Sequence, residues 1–276
     1  MDSVAIINSL KKNFALDPLS SKVLVVGLGN TGISVANYLH KLGFNFAITD
    51  SRDKPPLIDE FFQVMPDTPV FTGGFDEAAF KVATHLVVSP GVSLNEKSIV
   101  KAIAHGSKIV SDIDLFACSV DVPIIAITGS NGKSTVTTML GEMAKCAGKK
   151  VGVGGNLGTP ALDLLEQVAE LYVLELSSFQ LERTSALNAA AATVLNVSAD
   201  HLDRHADIAK YAQEKQNIFY GNGVMVINVD DPIVDAMQEA GRRIITFSIK
   251  KDADFYIAQK GDVEYLMHDT QCLMPL

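Results

Sequence analysis

The sequence PIIAITGSNGKSTVTTML at residues 123–140 decides the fold class of this 276-residue chain. An apolar, partly β-branched run at 123–128 predicts a strand, and the residues from Lys133 onward predict a helix. Between them lie glycines, a lysine and hydroxyl residues, the composition of a loop that binds phosphate at the amino end of a helix. The segment therefore predicts a strand, a phosphate-binding loop and a helix in direct succession.

Several loop residues have a predicted role in binding ATP. The glycines let backbone N–H groups turn toward an anion, Lys133 would reach the β- and γ-phosphates, and the Ser134 hydroxyl is placed to bind Mg²⁺. Ile127 stands where the usual GxxxxGK[ST] spacing puts a glycine, so we predict a shorter GxxGKST variant. The alternative is a plain strand-to-helix turn. The candidate ATP-binding residues are Gly129, Ser130, Asn131, Gly132, Lys133, Ser134 and Thr135.

The same alternation of strand, turn and helix runs through the chain and predicts an α/β protein. We predict an N-terminal Rossmann-like parallel-sheet domain at 1–119 and a P-loop NTPase-like central α/β domain at 120–276. After the phosphate loop, apolar residues that include Met139 and Met143 recur with helical spacing, and Gly148 stands where a C-terminal cap belongs, which predicts a helix. Residues 254–268 predict a β-hairpin. Strands are predicted at 22–27, 44–49, 85–89, 108–110, 123–128, 150–153, 171–176, 192–197, 224–229 and 243–248.

Composition excludes several classes of function. The formal net charge is −9 and the isoelectric point about 5.1, which argues against a non-specific nucleic-acid binder. The three cysteines are scattered and match no metal-binding spacing. Neither a secretory signal nor an 18-residue apolar run is found. We therefore expect a cytoplasmic protein with no membrane segment and no nucleic-acid partner.

A second glycine-rich turn, GLGNTG at 27–32, follows the first predicted strand. With Asp50 at the end of the next strand, it matches the Rossmann fingerprint for a dinucleotide. The same glycines would serve any ligand that sets phosphates against this turn, and we favour a different phosphate-bearing nucleotide over a redox cofactor. The candidate contacts are Gly29, Asn30, Thr31, Asp50, Ser51, Arg52, Ser89, Pro90 and Gly91.

Two polar side chains in the second domain follow predicted strands. Glu175 interrupts the apolar run LYVLELSS, and His201 follows the strand at 192–197. Ligands of parallel sheets bind at the carboxyl ends of strands, so both side chains are expected to converge on the terminal phosphate. A carboxylate suits Mg²⁺, whereas imidazole is a less usual ligand for it. The alternatives are a solvent-facing Glu175 at a sheet edge and a His201 that is only a polar loop residue.

Lys215 completes an apolar helical stripe formed by Ile208, Tyr211 and Ala212, and is therefore aimed toward the sheet. One interpretation is a buried stem with a solvated ammonium group. The other is an amine pointing into the site, where burial favours the neutral form. A neutral amine can take up CO₂ and become a carbamate that reaches a metal ion.

Taken together, these residues resemble the Mur ligases, the ATP-dependent amide ligases of peptidoglycan-precursor synthesis and hence of cell-wall biogenesis, cell shape and cell division. ELSSFQLE is the segment that best separates the D-glutamate-adding members from the others. The resemblance covers essentially the whole chain. The matching segments are GLGNTG with Asp50–Arg52, SPG at 89–91, TGSNGKSTVTT at 128–138, GGNLG at 154–158, ELSSFQLE at 175–182, DH at 200–201 and NVDDP at 228–232.

The resemblance implies an ADP-forming ligase that adds D-glutamate to UDP-N-acetylmuramoyl-L-alanine through an acyl phosphate. The N-terminal domain would hold the UDP moiety, and the central domain would hold ATP. Lys133, His201 and Lys215 would be catalytic. Two Mg²⁺ ions are implied, one at Ser134 and Glu175 and one at His201 and a carbamylated Lys215. Asn156, Ser177 and Gln180 would contact the muramoyl-alanine part or the transferred phosphate.

Complete Mur ligases carry a C-terminal domain that binds the incoming amino acid, and we expect this domain to be absent before Leu276. On that basis the chain is expected to bind the UDP-linked substrate, to bind ATP only weakly, and to need the missing domain for turnover. Three alternatives remain at this point. They are an NAD-dependent oxidoreductase, a non-catalytic nucleotide-binding module, and a sister ligase with another acceptor or amino acid.

Overall fold

The computed structural model describes residues 2–199 and 207–276. The chain divides into two compact units, and two segments from the C-terminal half cluster with the first. The first unit comprises the residues up to Asp121 together with Gly154–Val168 and Arg183–Ala186, and the second comprises Val122–Val153, Ala169–Glu182 and Leu187–Leu276.

The first unit is built on a five-stranded parallel sheet with strand order β3-β2-β1-β4-β5. Its strands are β1 Val23–Val26, β2 Phe46–Thr49, β3 Val70–Phe71, β4 His85–Val88 and β5 Lys108–Ile109. Its helices are α1 Ser3–Phe14, α2 Asn30–Lys41, α3 Ile58–Val64, α4 Glu77–Val82, α5 Lys97–Ala104 and α6 Asp112–Ala117, with a 3-10 helix at Ala161–Glu166.

Every residue of β1 and β4 is buried, because a parallel sheet carries its crossover helices on its faces. Leu24 and Val26 of β1 pack with Leu86 of β4, and Phe80 and Ile99 from α4 and α5 close this cluster. The Pro-rich stretch after β2 contains α3 and the short edge strand β3.

The second unit contains a nine-stranded sheet with strand order β14-β13-β12-β11-β10-β9-β6-β8-β7. Its strands are β6 Ile124–Thr128, β7 Val151–Gly155, β8 Leu171–Glu175, β9 Ala191–Val194, β10 Val224–Asn228, β11 Ile244–Ser248, β12 Phe255–Lys260, β13 Val263–His268 and β14 Gln271–Pro275. Its helices are α7 Lys133–Cys146, α8 Ser178–Leu181, α9 Ile208–Gln216 and α10 Pro232–Asp235, with a 3-10 helix at Asn217–Phe219.

The predicted α/β class is confirmed, and the hairpin predicted at 254–268 is present as the antiparallel pair β12 and β13. Strand β6 is an interior strand of the sheet and pairs in parallel with β8 on one side and with β9 on the other. Ile127 lies opposite Glu175, and Thr128 lies opposite Val194. Consequently three strands end together where the phosphate loop begins.

The predicted helix is present as α7, but its apolar stripe is not the face that it buries. Met139 and Met143 are 59% and 64% exposed, whereas Thr137 and Gly141 are the residues that α7 buries. The helix lies so close to β7 that a Cβ on Gly141 would come within 2.7 Å of Val153 Cγ2. Small side chains therefore face the sheet, and the apolar stripe lies elsewhere on the helix.

Candidate functional site

The phosphate loop joins β6 to α7, as the sequence predicts. Gly132 takes a positive φ of 78° immediately before the helix, a conformation that favours glycine. The Lys133 ammonium group donates to the backbone oxygens of Gly129 and Ser130 at 2.9 and 3.0 Å. The lysine is thus folded back over the loop, where it can exchange these carbonyls for phosphate oxygens.

Residues after β9 hold the loop in place, and sequence reasoning missed them. Asn196 Oδ1 accepts from the Asn131 N–H at 2.9 Å, and Asn196 Nδ2 donates to Asn131 O at 3.1 Å. The Ser130 hydroxyl donates to Ser198 O at 3.1 Å and accepts from the Ser198 N–H at 3.0 Å. The only sequence signal was their position directly after the strand beside β6.

Glu175 is buried, with 2% of its surface exposed, so the alternative of a solvent-facing edge residue is wrong. The Ser134 hydroxyl donates to Glu175 Oε2 at 2.7 Å. Two oxygen ligands of the kind that Mg²⁺ prefers thus lie side by side at the amino end of α7. The residues present fit a magnesium ion at this point.

Lys215 lies on α9 and is 1% exposed, which overturns the alternative of a solvated ammonium group. Its Nζ donates to Gly129 O at 2.9 Å and lies 3.4 Å from Thr128 Oγ1. The same nitrogen lies 4.4 Å from the centroid of the Tyr211 ring. The amine therefore points at the first residue of the phosphate loop.

His201 lies outside the described residues. Within 2–199 and 207–276, no group of three or more His, Cys, Asp or Glu side chains could hold a metal ion by itself. Among these described residues, a metal ion at Glu175 would also need hydroxyl or phosphate oxygens as ligands. In the described part of the chain, no helix is both long and apolar enough to cross a bilayer.

Ser177 and Gln180 form the N-terminal cap of α8. The Gln180 N–H donates to Ser177 Oγ at 3.2 Å, and the Ser177 N–H donates to Gln180 Oε1 at 3.1 Å. This reciprocal pair is a capping box, which the spacing Ser-x-x-Gln signals in the sequence. It fixes both side chains directly after Glu175 and Leu176.

In the first unit, the turn at 27–32 brings strand and helix into close contact. A Cβ on Gly32 would lie 2.0 Å from Gly27 O, so no larger residue fits at the start of α2. Gly27 takes a φ of 99°, and the Ser89 hydroxyl donates to its carbonyl at 3.1 Å. Asn30 and Gly91 are exposed, while Gly29, Thr31, Ser89 and Pro90 are half-buried.

Asp50 is 2% exposed and is held by internal donors. Its carboxylate accepts from the Leu28 N–H at 2.7 Å and from Arg52 Nε and Nη2 at 2.8 and 2.6 Å. Burial raises the pKa of Asp50, but the hydrogen bonds from Arg52 and Leu28 outweigh it and leave the pKa below its usual value. Ser51 and Arg52 are exposed beside this carboxylate.

Asn156 lies in the segment 154–168, which clusters with the first unit, and it is exposed. The Ser34 hydroxyl of α2 donates to Asp163 Oδ1 at 2.6 Å. Lys41 of the same helix forms an ion pair with Glu166. These contacts fix the segment that carries Asn156 to the helix after the GLGNTG turn.

Comparison with known proteins decides the family. Residues 127–274 match the Mur ligase middle domain, and residues 21–111 match the Mur ligase MurD-like N-terminal domain. The chain belongs to the Mur ligase family. The resemblance noted from the sequence is thereby confirmed. The alternative of a nicotinamide-dependent oxidoreductase is not favoured.

Two relatives carry the name UDP-N-acetylmuramoylalanine–D-glutamate ligase. The protein from Methylococcus capsulatus is 50% identical over 257 residues, which are 92% of this chain and 56% of the relative. The protein from Marinobacter nauticus is 55% identical over 230 residues, which are 83% of this chain and 52% of the relative. This Mur ligase chain thus spans about half the length of the curated relatives that it matches.

A solved structure agrees with the fold. The UDP-N-acetylmuramate:L-alanyl-γ-D-glutamyl-meso-diaminopimelate ligase from Neisseria meningitides superposes with a TM-score of 0.59. The match covers 91% of this chain and 85% of that structure at 17% sequence identity. At this identity the similarity supports the Mur ligase fold alone.

Proposed function

We propose that this chain provides the substrate-binding and ATP-binding parts of a ligase that adds D-glutamate to UDP-N-acetylmuramoyl-L-alanine. The observation that carries the proposal is the position of Glu175 and Lys215, both within hydrogen-bonding distance of phosphate-loop residues. The names of relatives at 50% and 55% identity support the choice of substrates. The reaction belongs to peptidoglycan-precursor synthesis in the cytoplasm.

In the second unit, the loop Gly129–Thr135 binds the triphosphate. Its amides and the amino end of α7 attract the anion, and Lys133 leaves its carbonyl partners to contact the β- and γ-phosphates. Ser134 and Glu175 would hold one Mg²⁺, and His201 and a carbamylated Lys215 would hold the second. When bound, the two ions offset the negative charge of the phosphates and of the substrate carboxylate.

The residues suit the transfer of a phosphoryl group to a carboxylate. A carboxylate oxygen of the alanyl group attacks the γ-phosphorus, and the bond from that phosphorus to the oxygen of ADP breaks. The D-glutamate nitrogen then attacks the carbonyl carbon of the acyl phosphate. A C–N bond forms, phosphate leaves with its electron pair, and the nitrogen releases its proton to solvent. Lys133 would stabilise the phosphoryl charge in the first step.

We assign residues 1–119 to the UDP-linked substrate and residues 120–276 to ATP. The turn at 27–32 would bind the pyrophosphate at the amino end of α2. Arg52 and Ser51 lie exposed beside Asp50, where they can contact the uridine. Asn156, Ser177 and Gln180 would contact the muramoyl-alanine part or the transferred phosphate.

The engaged state of Asp50 weighs against a nicotinamide dinucleotide. In dinucleotide-binding domains this acid accepts hydrogen bonds from the ribose hydroxyl. Here the Leu28 amide and the Arg52 guanidinium already donate to both carboxylate oxygens. A uridine nucleotide that contacts the exposed side of Arg52 would leave the Asp50–Arg52 ion pair unchanged.

Isothermal titration of the chain with UDP-N-acetylmuramoyl-L-alanine tests the proposal. We expect saturable 1:1 binding, and weaker binding of ATP in the presence of Mg²⁺. NADH should give no change in absorbance or fluorescence. Absence of uridine-nucleotide binding would contradict the proposed function, and tight NADH binding would favour the oxidoreductase. A ¹³C carbamate signal after addition of ¹³C-bicarbonate, absent in Lys215→Arg, would support the second metal site.

A further inference from the structure

A buried arginine of the first unit holds the turn proposed to contact the uridine substrate. Ser89–Val92 is a β-turn that follows β4 and is closed by the Val92 N–H donating to Ser89 O at 2.9 Å. Pro90 occupies the first central position, where its fixed φ favours a turn. The turn lies at the carboxyl end of a central strand, where ligands of parallel sheets bind.

The Arg183 guanidinium contacts three carbonyls around this turn. Its Nη1 donates to Ser89 O at 2.9 Å and to Val88 O at 3.0 Å, and both Nη atoms lie 3.4 Å from Val92 O. Arg183 is 5% exposed. A planar guanidinium presents its donors in a fixed fork, so it fixes the spacing of the carbonyls that it contacts. The two ends of the turn are thereby tied to one side chain.

The position of this turn sets the position of the glycine turn beside it. The Ser89 hydroxyl donates to Gly27 O at 3.1 Å. A Cβ on Gly27 would lie 3.0 Å from Ser89 Cβ and Oγ. A shift of Ser89 would therefore move Gly27, and with it the first residues of α2. The chain of contacts runs from Arg183 through Ser89 to the proposed pyrophosphate site.

We propose that Arg183 is a positioning residue for the UDP-linked substrate. It acts through the Ser89–Val92 turn and does not touch the ligand. Arg183 lies eight positions after Glu175 and directly follows the segment ELSSFQLE. One short stretch of sequence thus provides the proposed metal-binding carboxylate and the cation that orders the uridine turn. This inference rests on the proposed function of the first unit.

The test compares Arg183→Met with Arg242→Met as a matched control. Arg242 in the second unit is also largely buried and also donates to backbone carbonyls, those of Phe219 at 2.9 Å and Gly223 at 2.8 Å. We expect Arg183→Met to raise the Kd for UDP-N-acetylmuramoyl-L-alanine about tenfold, the size of effect that follows from losing hydrogen bonds to a charged group. Arg242→Met should leave that Kd unchanged. Neither variant should alter the affinity for ATP.

Conservative substitution and hydrogen exchange separate positioning from general stability. Arg183→Lys keeps the charge but not the fork, and should weaken binding about threefold. In the absence of ligand, the Val92 N–H should exchange faster in Arg183→Met than in the wild type. If Arg183→Met does not fold, Arg183→Lys supplies both measurements.

Unchanged substrate affinity in the folded Arg183 variants would overturn the inference. So would an equal loss of affinity in Arg183→Met and Arg242→Met, because a general loss of stability would then explain both. A wild-type chain that binds no uridine nucleotide would contradict the proposed function instead. The Val92 exchange rate would still show whether Arg183 orders the turn. An equal rate in Arg183→Met and in the wild type would mean that Arg183 does not order it.

Discussion

The two glycine-rich turns of this chain share a backbone design and differ in their charged side chains. Each follows an interior parallel strand and opens a helix, β1 into α2 in the first unit and β6 into α7 in the second. At the first turn, the acidic residue Asp50 is buried and paired with Arg52. At the second, Lys133 lies over the loop, and the Ser134 hydroxyl donates to the Glu175 carboxylate.

This difference indicates that glycines mark a candidate phosphate site but do not specify which ligand binds there. Backbone amides and a helix dipole attract any phosphate group. The ligand is selected by the side chains at neighbouring strand ends, because they set local charge and metal affinity. Four variants test this division between the two turns, in order of decreasing effect.

Gly32→Ala should have the largest effect. Its Cβ would lie 2.0 Å from the Gly27 carbonyl oxygen, a backbone atom that cannot move without separating α2 from β1. We expect a loss of about 3 kcal/mol in the free energy of unfolding of the first unit. Chemical denaturation measures it. Gly29→Ala is the matched control, since a Cβ there meets nothing within 4 Å. Equal losses in both variants would contradict the argument.

Lys133→Ala should have the second-largest effect, on ATP binding at the second turn. We expect binding of ATP with Mg²⁺ to weaken about a hundredfold, the effect of losing a charge-assisted contact to phosphate. Millimolar ATP should then no longer raise Tm. Lys145→Ala removes a lysine at the exposed end of the same helix and should leave the ATP effect intact. Lost binding of the uridine substrate in Lys133→Ala would mean that the two turns do not act separately.

Asp50→Asn tests whether the carboxylate of the first turn is structural. The variant loses charge-assisted bonds to Arg52 and Leu28, and we expect about 1–2 kcal/mol lower stability at pH 7. Because the folded pKa of Asp50 is lowered, its contribution is present above the unfolded value of about 3.9 and is lost as pH falls through the folded pKa. Lowering the pH from 5 to 3 should therefore reduce the free energy of unfolding of the wild type more than that of the variant. Chemical denaturation at each pH measures this difference. If stability falls with pH equally in the wild type and in Asp50→Asn, the carboxylate does not stabilise the fold.

Ser134→Ala should have the smallest effect. The hydroxyl is one oxygen ligand beside Glu175, so its loss should raise the Mg²⁺ concentration needed for ATP binding about fivefold. Titration of Mg²⁺ at fixed ATP measures the change. Thr138→Ala removes an exposed hydroxyl farther along α7 and serves as the control. An unchanged Mg²⁺ requirement would exclude Ser134 as a ligand, and chelation of Mg²⁺ should abolish the difference between wild type and variant.

Much of the fold could be predicted because parallel α/β units carry strong local signals. Apolar runs gave most strands, and the inward position of Lys215 followed from the period of α9 alone. Helix α1 was missed, and so were the short elements α3, α4, α6, α8, α10 and β3. Such short elements have little periodicity of their own, and their stability depends on contacts with the rest of the unit.

By itself, the sequence determined the α/β class, the two glycine-rich turns, the family and the set of candidate site residues. These depend on residue type and on spacing along the chain. Only the tertiary structure decided that α7 buries Thr137 and Gly141, that Arg52 donates hydrogen bonds to Asp50, and that Arg183 donates to the turn after β4. The physical reason is that each depends on how closely distant segments approach, and a local pattern carries no information about that distance.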